Sequence, residues 1–318
     1  MSGVPARLAF FERLTDSRPS NMRGIVLMLA ATVLFTIMGA SARYVSDRIH
    51  PFEVVFFRNA FGFVLLLPLV MSYGLKHFRT QRFGLHVARA AGHVAEMTIY
   101  FVGLTMIQYA QVQALTFTTP LFTALLAVLI LRERIQARRI AALAIGFLGA
   151  MIVIRPGLAP VDTGSMLILL SALGWAGVIL IVKQLTRTDS SITITAWMVV
   201  LMSPVSLIPA IFVWQWPTLA EWGWLALAGI SGTIGQLLVT QAFRVADTMA
   251  VMPFDFTKLI WASIIGFIVF DEVPSIYTWF GAVIIFGGSL YVALRERQSQ
   301  AQSRREAAIE RNERRQHT

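Results

Sequence analysis

The sequence predicts an all-α membrane protein, with ten transmembrane helices arranged as two inverted five-helix repeats. Three observations carry that expectation. First, 56% of the 318 residues are hydrophobic, only 14% are charged, and the mean hydropathy is +0.67, a balance foreign to soluble domains. Second, the chain contains ten apolar segments, most of them near the roughly 20 residues that a hydrocarbon core about 30 Å thick demands. Runs such as FGFVLLLPLV and LFTALLAVLIL lack the alternation of a transmembrane β-strand. Third, the second half of the chain echoes the first at an offset of 139 or 140 residues.

In order, the spans are expected at 24–45, 53–73, 84–106, 110–131, 138–154, 163–185, 191–213, 222–243, 249–270 and 276–294. They divide the chain into an N-terminal segment 1–23, a first repeat 24–154, a second repeat 163–294 and a basic tail 295–318. Span 1 contains GASA at 39–42, the form of a signal-peptidase site. It follows 23 largely polar residues and outlasts the roughly 7 to 15 apolar residues of a signal core, so it reads as a retained span. Span 9 contains Pro253, which removes a backbone donor and can loosen the helix. Trp214, Trp216, Trp222 and Trp224 cluster between spans 7 and 8, where an interfacial aromatic belt belongs.

Charge sets the expected orientation. With the N-terminus inside, 21 Lys and Arg fall on cytoplasmic segments, from Arg7 through the seven arginines of the tail. Only Arg43, Arg48 and Arg155 fall outside, and Arg58, Arg89 and Lys258 lie within spans. The positive-inside rule then places both termini in the cytoplasm of a bacterial inner membrane. A net charge of +10 would suggest nucleic acid in a soluble protein; here it fits anionic headgroups instead. The absence of cysteine leaves no disulfide, thiolate metal site or Cys nucleophile.

Within the repeat, Gly24, Leu27 and Leu29 meet Gly164, Leu167 and Leu169, and Gly84 meets Gly223. Val112, Phe117, Thr118, Glu133, Ile145, Gly149 and Val153 meet Val251, Phe256, Thr257, Glu272, Ile284, Gly288 and Val292. Five spans per half is odd, so the halves cross the bilayer in opposite senses, as in secondary transporters with a midplane solute site. With HPFEVVFFRN entering span 2, ALTFTTPLFTALLAVLILRERI in span 4 and MAVMPFDFTKLIWASIIGFIVFDEVPS in span 9, residues 22–295 resemble the drug/metabolite transporter superfamily, EamA type. The resemblance implies a ten-helix carrier whose central cavity is lined by spans 1, 3, 4, 6, 8 and 9. Similar members include bacterial riboflavin and S-adenosylmethionine uptake carriers, alongside exporters of amino acids and metabolites.

The polar residues inside the spans are the candidate substrate-binding groups. At about 100° per residue, Arg89, His93, Glu96 and Tyr100 of span 3 share one stripe. A charge at mid-bilayer costs at least about 2.5 to 3.5 kcal/mol, so this stripe faces protein or a watery cavity. It either lines the solute path or ties helices together, with Arg89 snorkelling. Under the repeat, Arg89, His93 and Glu96 map to Ala228, Gly232 and Gly235, so the fold does not demand them. Asp255 and Lys258 of span 9 map to Thr116 and Thr119; they either pair along the helix or reach the cavity. Gln113 and Thr116 of span 4 and Gln236 of span 8 sit on stripes that suit close packing and cavity lining equally. Phe35 of span 1 and Trp175 of span 6 occupy equivalent mid-span positions and, facing inward, could sandwich a planar ring. Arg58 and Asn59 read as interfacial, or as a structural group with Glu53.

The function expected is a secondary transporter moving a small organic solute by alternating access, with riboflavin uptake first. S-adenosylmethionine or nucleoside uptake, or export of amino acids or metabolites, follows. No Walker A sequence, HExxH or GxSxG occurs, which argues against ATP drive and leaves a membrane-embedded enzyme only the span 3 His and Glu. No catalytic residue, metal or cofactor is expected. The expected partners are the solute and the lipid bilayer, with a homodimer allowed and no nucleic acid.

Overall fold

A computed structural model describes residues 21–73, 79–131, 137–155, 162–185, 187–189, 191–246, 251, 254–288 and 290–291. Among them there is no strand. Spans 1, 2 and 3 form helices Asn21–Val45, Pro51–Tyr73 and Phe83–Met106. Spans 5 to 8 form Ala137–Ile154, Thr163–Leu185, Ser191–Ile211 and Leu219–Val245, and span 10 includes Ile276–Gly288. Five of the described helices are long and apolar enough to cross a membrane by length and composition alone. Span 3 falls outside that set because its stripe of ionisable residues dilutes its hydropathy.

Spans 4 and 9 differ from the continuous helices expected. Span 4 is two helices, Tyr109–Thr116 and Thr119–Leu131, joined by a turn at Phe117 and Thr118. Pro120 supplies no N–H to the Thr116 carbonyl, and the Thr118 hydroxyl donates back to the Leu115 carbonyl at 2.7 Å. Span 9 turns at Phe256 before helix Thr257–Phe270, and the Thr257 hydroxyl donates to the Phe254 carbonyl at 2.7 Å. Both breaks therefore use a threonine bonded three residues back, at positions that correspond under the repeat. The two turn residues meet: the Phe117 and Phe256 rings stack with centroids 5.2 Å apart at 25°. Pro253 lies outside the described residues.

Packing follows the pseudo-twofold. Span 8 packs extensively along span 1, and its counterpart, span 3, along span 6. Spans 2 and 8 touch, as do spans 7 and 3. Glycines permit these approaches. A Cβ on Gly103 would stand 3.1 Å from the Gly164 carbonyl, and one on Gly149 would stand 2.9 Å from the Gly281 carbonyl where spans 5 and 10 cross.

At one end of the bundle a polar network ties the broken helices together. Glu272, just past span 9, accepts from the Tyr109 backbone N–H at 2.7 Å and pairs with Arg43 at the end of span 1. Arg43 also donates to the Ile107 carbonyl at 3.0 Å. At the opposite end, His86 Nε2 and the Thr80 hydroxyl meet the Asp189 carboxylate at 2.7 and 2.6 Å. The candidate site lies between these two closures.

Candidate functional site

Span 3 brings His93 and Glu96 together, with His93 Nε2 3.3 Å from Glu96 Oε1. Both side chains remain 11% exposed although they face helices, not lipid. The Trp175 ring of span 6 lies 4.7 Å from the His93 ring at 43°, and a Cβ on Gly174 would meet the Glu96 Cβ at 2.8 Å. Gly174 thus lets span 3 lie close enough to bring its carboxylate alongside span 6.

Arg89, one turn below His93, is occupied elsewhere. Its Nη1 donates to the Ile194 carbonyl at 3.0 Å and its Nη2 lies 3.1 Å from Met198 Sδ, both on span 7. It is 8% exposed. A guanidinium bonded to a helix carbonyl braces spans 3 and 7 instead of snorkelling. Tyr100, at the other end of the stripe, accepts from Gln113 Nε2 of span 4 at 3.3 Å, and the Thr116 hydroxyl donates to the Gln113 carbonyl at 2.8 Å.

Span 9 forms the second group. Lys258 Nζ and Asp255 Oδ1 are 2.5 Å apart, 21% and 33% exposed, and Nζ also stands 5.1 Å from the centre of the Phe35 ring. The along-helix pair and the reach toward span 1 therefore occur together. Phe35 also sits beside span 8, where its Cδ1 would be 3.5 Å from a Cβ on Gly235. Phe35 and Trp175 face different neighbours, a lysine for one and a histidine for the other. Gln236 is exposed on the helix face it shares with Gly229 and Gly232, which pack on spans 1 and 2.

The residue that sequence reasoning misplaced is Arg58. Glu53 is fully buried and accepts from the Gln215 backbone N–H at 3.1 Å, so it does not pair with Arg58. Arg58 turns toward span 8 instead: a Cβ on Gly232 would come within 3.3 Å of its Nε. The glycines of span 8 opposite span 2 were the available signal, but only with the helix pairing in hand.

These groups lie on spans 1, 2, 3, 6, 8 and 9, with no cluster of metal-ligand type among the described residues. Two segments, residues 22–155 and 162–294, each match the EamA-like transporter family. The chain belongs to that family. Within reach of this EamA-like transporter is an S-adenosylmethionine uptake transporter of Rickettsia prowazekii, 30% identical over 90% of this chain and 97% of the relative. A riboflavin transporter of Brucella anthropi is 33% identical over 83% of this chain and 96% of its own. A solved crystal structure with 17% identity covers 88% of this chain and 99% of its own at TM-score 0.58, which speaks to the fold alone. The EamA-like transporter is a multi-pass membrane carrier of a small-molecule solute, and its family points to transport in place of catalysis.

Proposed function

We propose that this carrier takes up a flat heteroaromatic solute, riboflavin first, across the bacterial inner membrane by alternating access, with both termini cytoplasmic. The observation that carries the solute class is the lining itself, in which Trp175 against His93, and Phe35 beneath Lys258, offer ring faces at equivalent places in the two repeats. Charge ranks the solutes. Among the polar groups described above, Arg58, Arg89 and Lys258 stand against Glu96 and Asp255, an excess of one cation. Asp255 is already taken by Lys258. An uncharged flavin suits that balance better than a sulfonium cation such as S-adenosylmethionine, whose support is the similarity to its uptake carriers.

Arg89, His93, Glu96, Tyr100, Gln113, Thr116, Phe35, Trp175, Gln236, Asp255 and Lys258 are the residues proposed to serve the solute, Arg89 by bracing the wall. The Lys and Arg bias of the loops supports the orientation. The protein is tested in bacterial strains auxotrophic for riboflavin at limiting supplement, and in proteoliposomes with labelled riboflavin and labelled S-adenosylmethionine in parallel. Rescue and counterflow with riboflavin are expected. Counterflow with S-adenosylmethionine and none with riboflavin would reverse the ranking; counterflow with neither would sink both.

A further inference from the structure

We propose that Tyr109 plugs the outer end of the solute path and that the Arg43 and Glu272 pair latches the plug, so that solute enters only when this latch parts. The latch rests on the reading above only for the assignment of this end to the outer face. Its contacts stand apart from the identity of the solute.

Tyr109 opens the short helix Tyr109–Thr116 and is fully buried. Its hydroxyl donates to the Thr36 carbonyl of span 1 at 2.7 Å, and its backbone N–H donates to Glu272 Oε2 at 2.7 Å. Two glycines make the socket. A Cβ on Gly39 of span 1 would overlap the Tyr109 hydroxyl oxygen and stand 3.0 Å from Cζ, so glycine there admits the phenol. A Cβ on Gly266 of span 9 would lie 4.0 Å from the Tyr109 Cβ, which places the residue between spans 1 and 9. The GASA run of span 1 thus begins with the residue that receives the plug.

The latch joins three segments around this plug. Arg43, in the last turn of span 1, pairs with Glu272 and donates to the Ile107 carbonyl at 3.0 Å, and its guanidinium lies 4.7 Å from the centre of the Phe270 ring. The two side chains are only 16% and 14% exposed. Asp271 bends the chain at φ 52, a left-handed conformation that aspartate tolerates, and the Glu272 backbone N–H bonds the Gly266 carbonyl at 2.9 Å. Gln108 Nε2 adds a bond to the Val273 carbonyl at 3.3 Å. Withdrawal of Glu272 releases Arg43 and the Tyr109 N–H in one step. The far end of the short helix is the turn at Phe117 and Thr118. Eight residues held by contacts at one end and a turn at the other swing as a unit once the contacts break.

The chain contains no cysteine, so an introduced thiol is the protein's only one. Full-length protein carrying Thr116→Cys is labelled in intact cells with a membrane-impermeant maleimide, and the label is read on the purified protein. The same reporter with Arg43→Ala, Glu272→Gln or Gly39→Ala should label about fivefold faster or more, because losing a partly buried contact shifts the open population by its contribution. Arg43→Lys should fall between, since the ammonium keeps the charge and loses the planar fork. A lock tests the converse. Tyr109→Cys with Gly266→Cys, in place of the reporter, sets two Cβ atoms about 4.0 Å apart, within disulfide range. Oxidation of that pair should stop labelled riboflavin uptake in proteoliposomes and reduction should restore it, with each single-cysteine variant indifferent to oxidant.

Unchanged labelling in Arg43→Ala, or uptake that continues through the oxidised pair, overturns the latch and leaves the solute reading standing. A rise in labelling seen only in inside-out vesicles keeps the latch and reverses the orientation. Labelling needs no solute, so if the protein carries no riboflavin the solute reading falls and the labelling rates alone decide the latch. Should Arg43→Ala fail to elute as a single species, Glu272→Gln and Arg43→Lys carry the result.

Discussion

Spans 3 and 8 are equivalent under the repeat and perform opposite tasks. Span 8 is the packing helix: Gly229, Gly232 and Gly235 lay its backbone against Phe61, Met38 and Leu34, and the Ser231 and Thr240 hydroxyls bond back to its own carbonyls. Span 3 makes the matching contact with span 6, but where span 8 has Ala228, Gly232 and Gly235 it carries Arg89, His93 and Glu96. The helix pairing is therefore a property of the repeat, and the ionisable groups are an addition made in one half only. A symmetric scaffold supplies two access states; an asymmetric lining supplies one solute.

The largest expected effect breaks the packing side of this comparison. In Gly229→Leu the new Cβ would stand 2.9 Å from the Arg58 carbonyl, a backbone atom that cannot step aside. Overpacking of this kind costs about 3 kcal/mol or more, and the variant should lose its single-species elution in detergent. His93→Ala tests the other side: it removes the partner of Glu96 and the ring against Trp175. Normal elution with about a tenfold rise in KM is expected from a lost charge-assisted contact. A folding defect like that of Gly229→Leu would place His93 with the scaffold instead.

Lys258→Met removes the ammonium from Asp255 and from the face of Phe35. The pair is partly exposed, so a change of about 1 kcal/mol, or roughly fivefold in KM, is expected in uptake assays. The smallest effect belongs to Gly92→Ala on span 3, where a Cβ would meet only Val178 Cγ2 at 3.6 Å. Elution and KM should both stay within about twofold, since ordinary van der Waals contact carries little penalty. Equal sensitivity of Gly92 and Gly229 to enlargement would erase the distinction between the two helices.

Much of this was legible in the order of residues. The polar stripe of span 3 is visible because α-helical spacing projects every third or fourth side chain onto one face, and His93 and Glu96 do meet a neighbouring helix. The breaks in spans 4 and 9 were half visible. Pro253 marked span 9 as the looser helix, but the stacking of Phe117 on Phe256 depends on two segments meeting that are distant in the chain. Arg89 and Arg58 exchanged expectations. Both are arginines in apolar helices, and nothing local distinguishes one bonded to the Ile194 carbonyl from one turned toward Gly232 of span 8.

Hydropathy and periodicity act within a single helix, and the repeat acts by register along the chain, so the apolar spans and their twofold repeat were determined by the sequence alone. Which arginine faces the lining, which carboxylate is spoken for and where the broken helices join were decided only when helices from both halves packed. Those outcomes depend on distances between side chains far apart in sequence, set by where glycines let backbones approach.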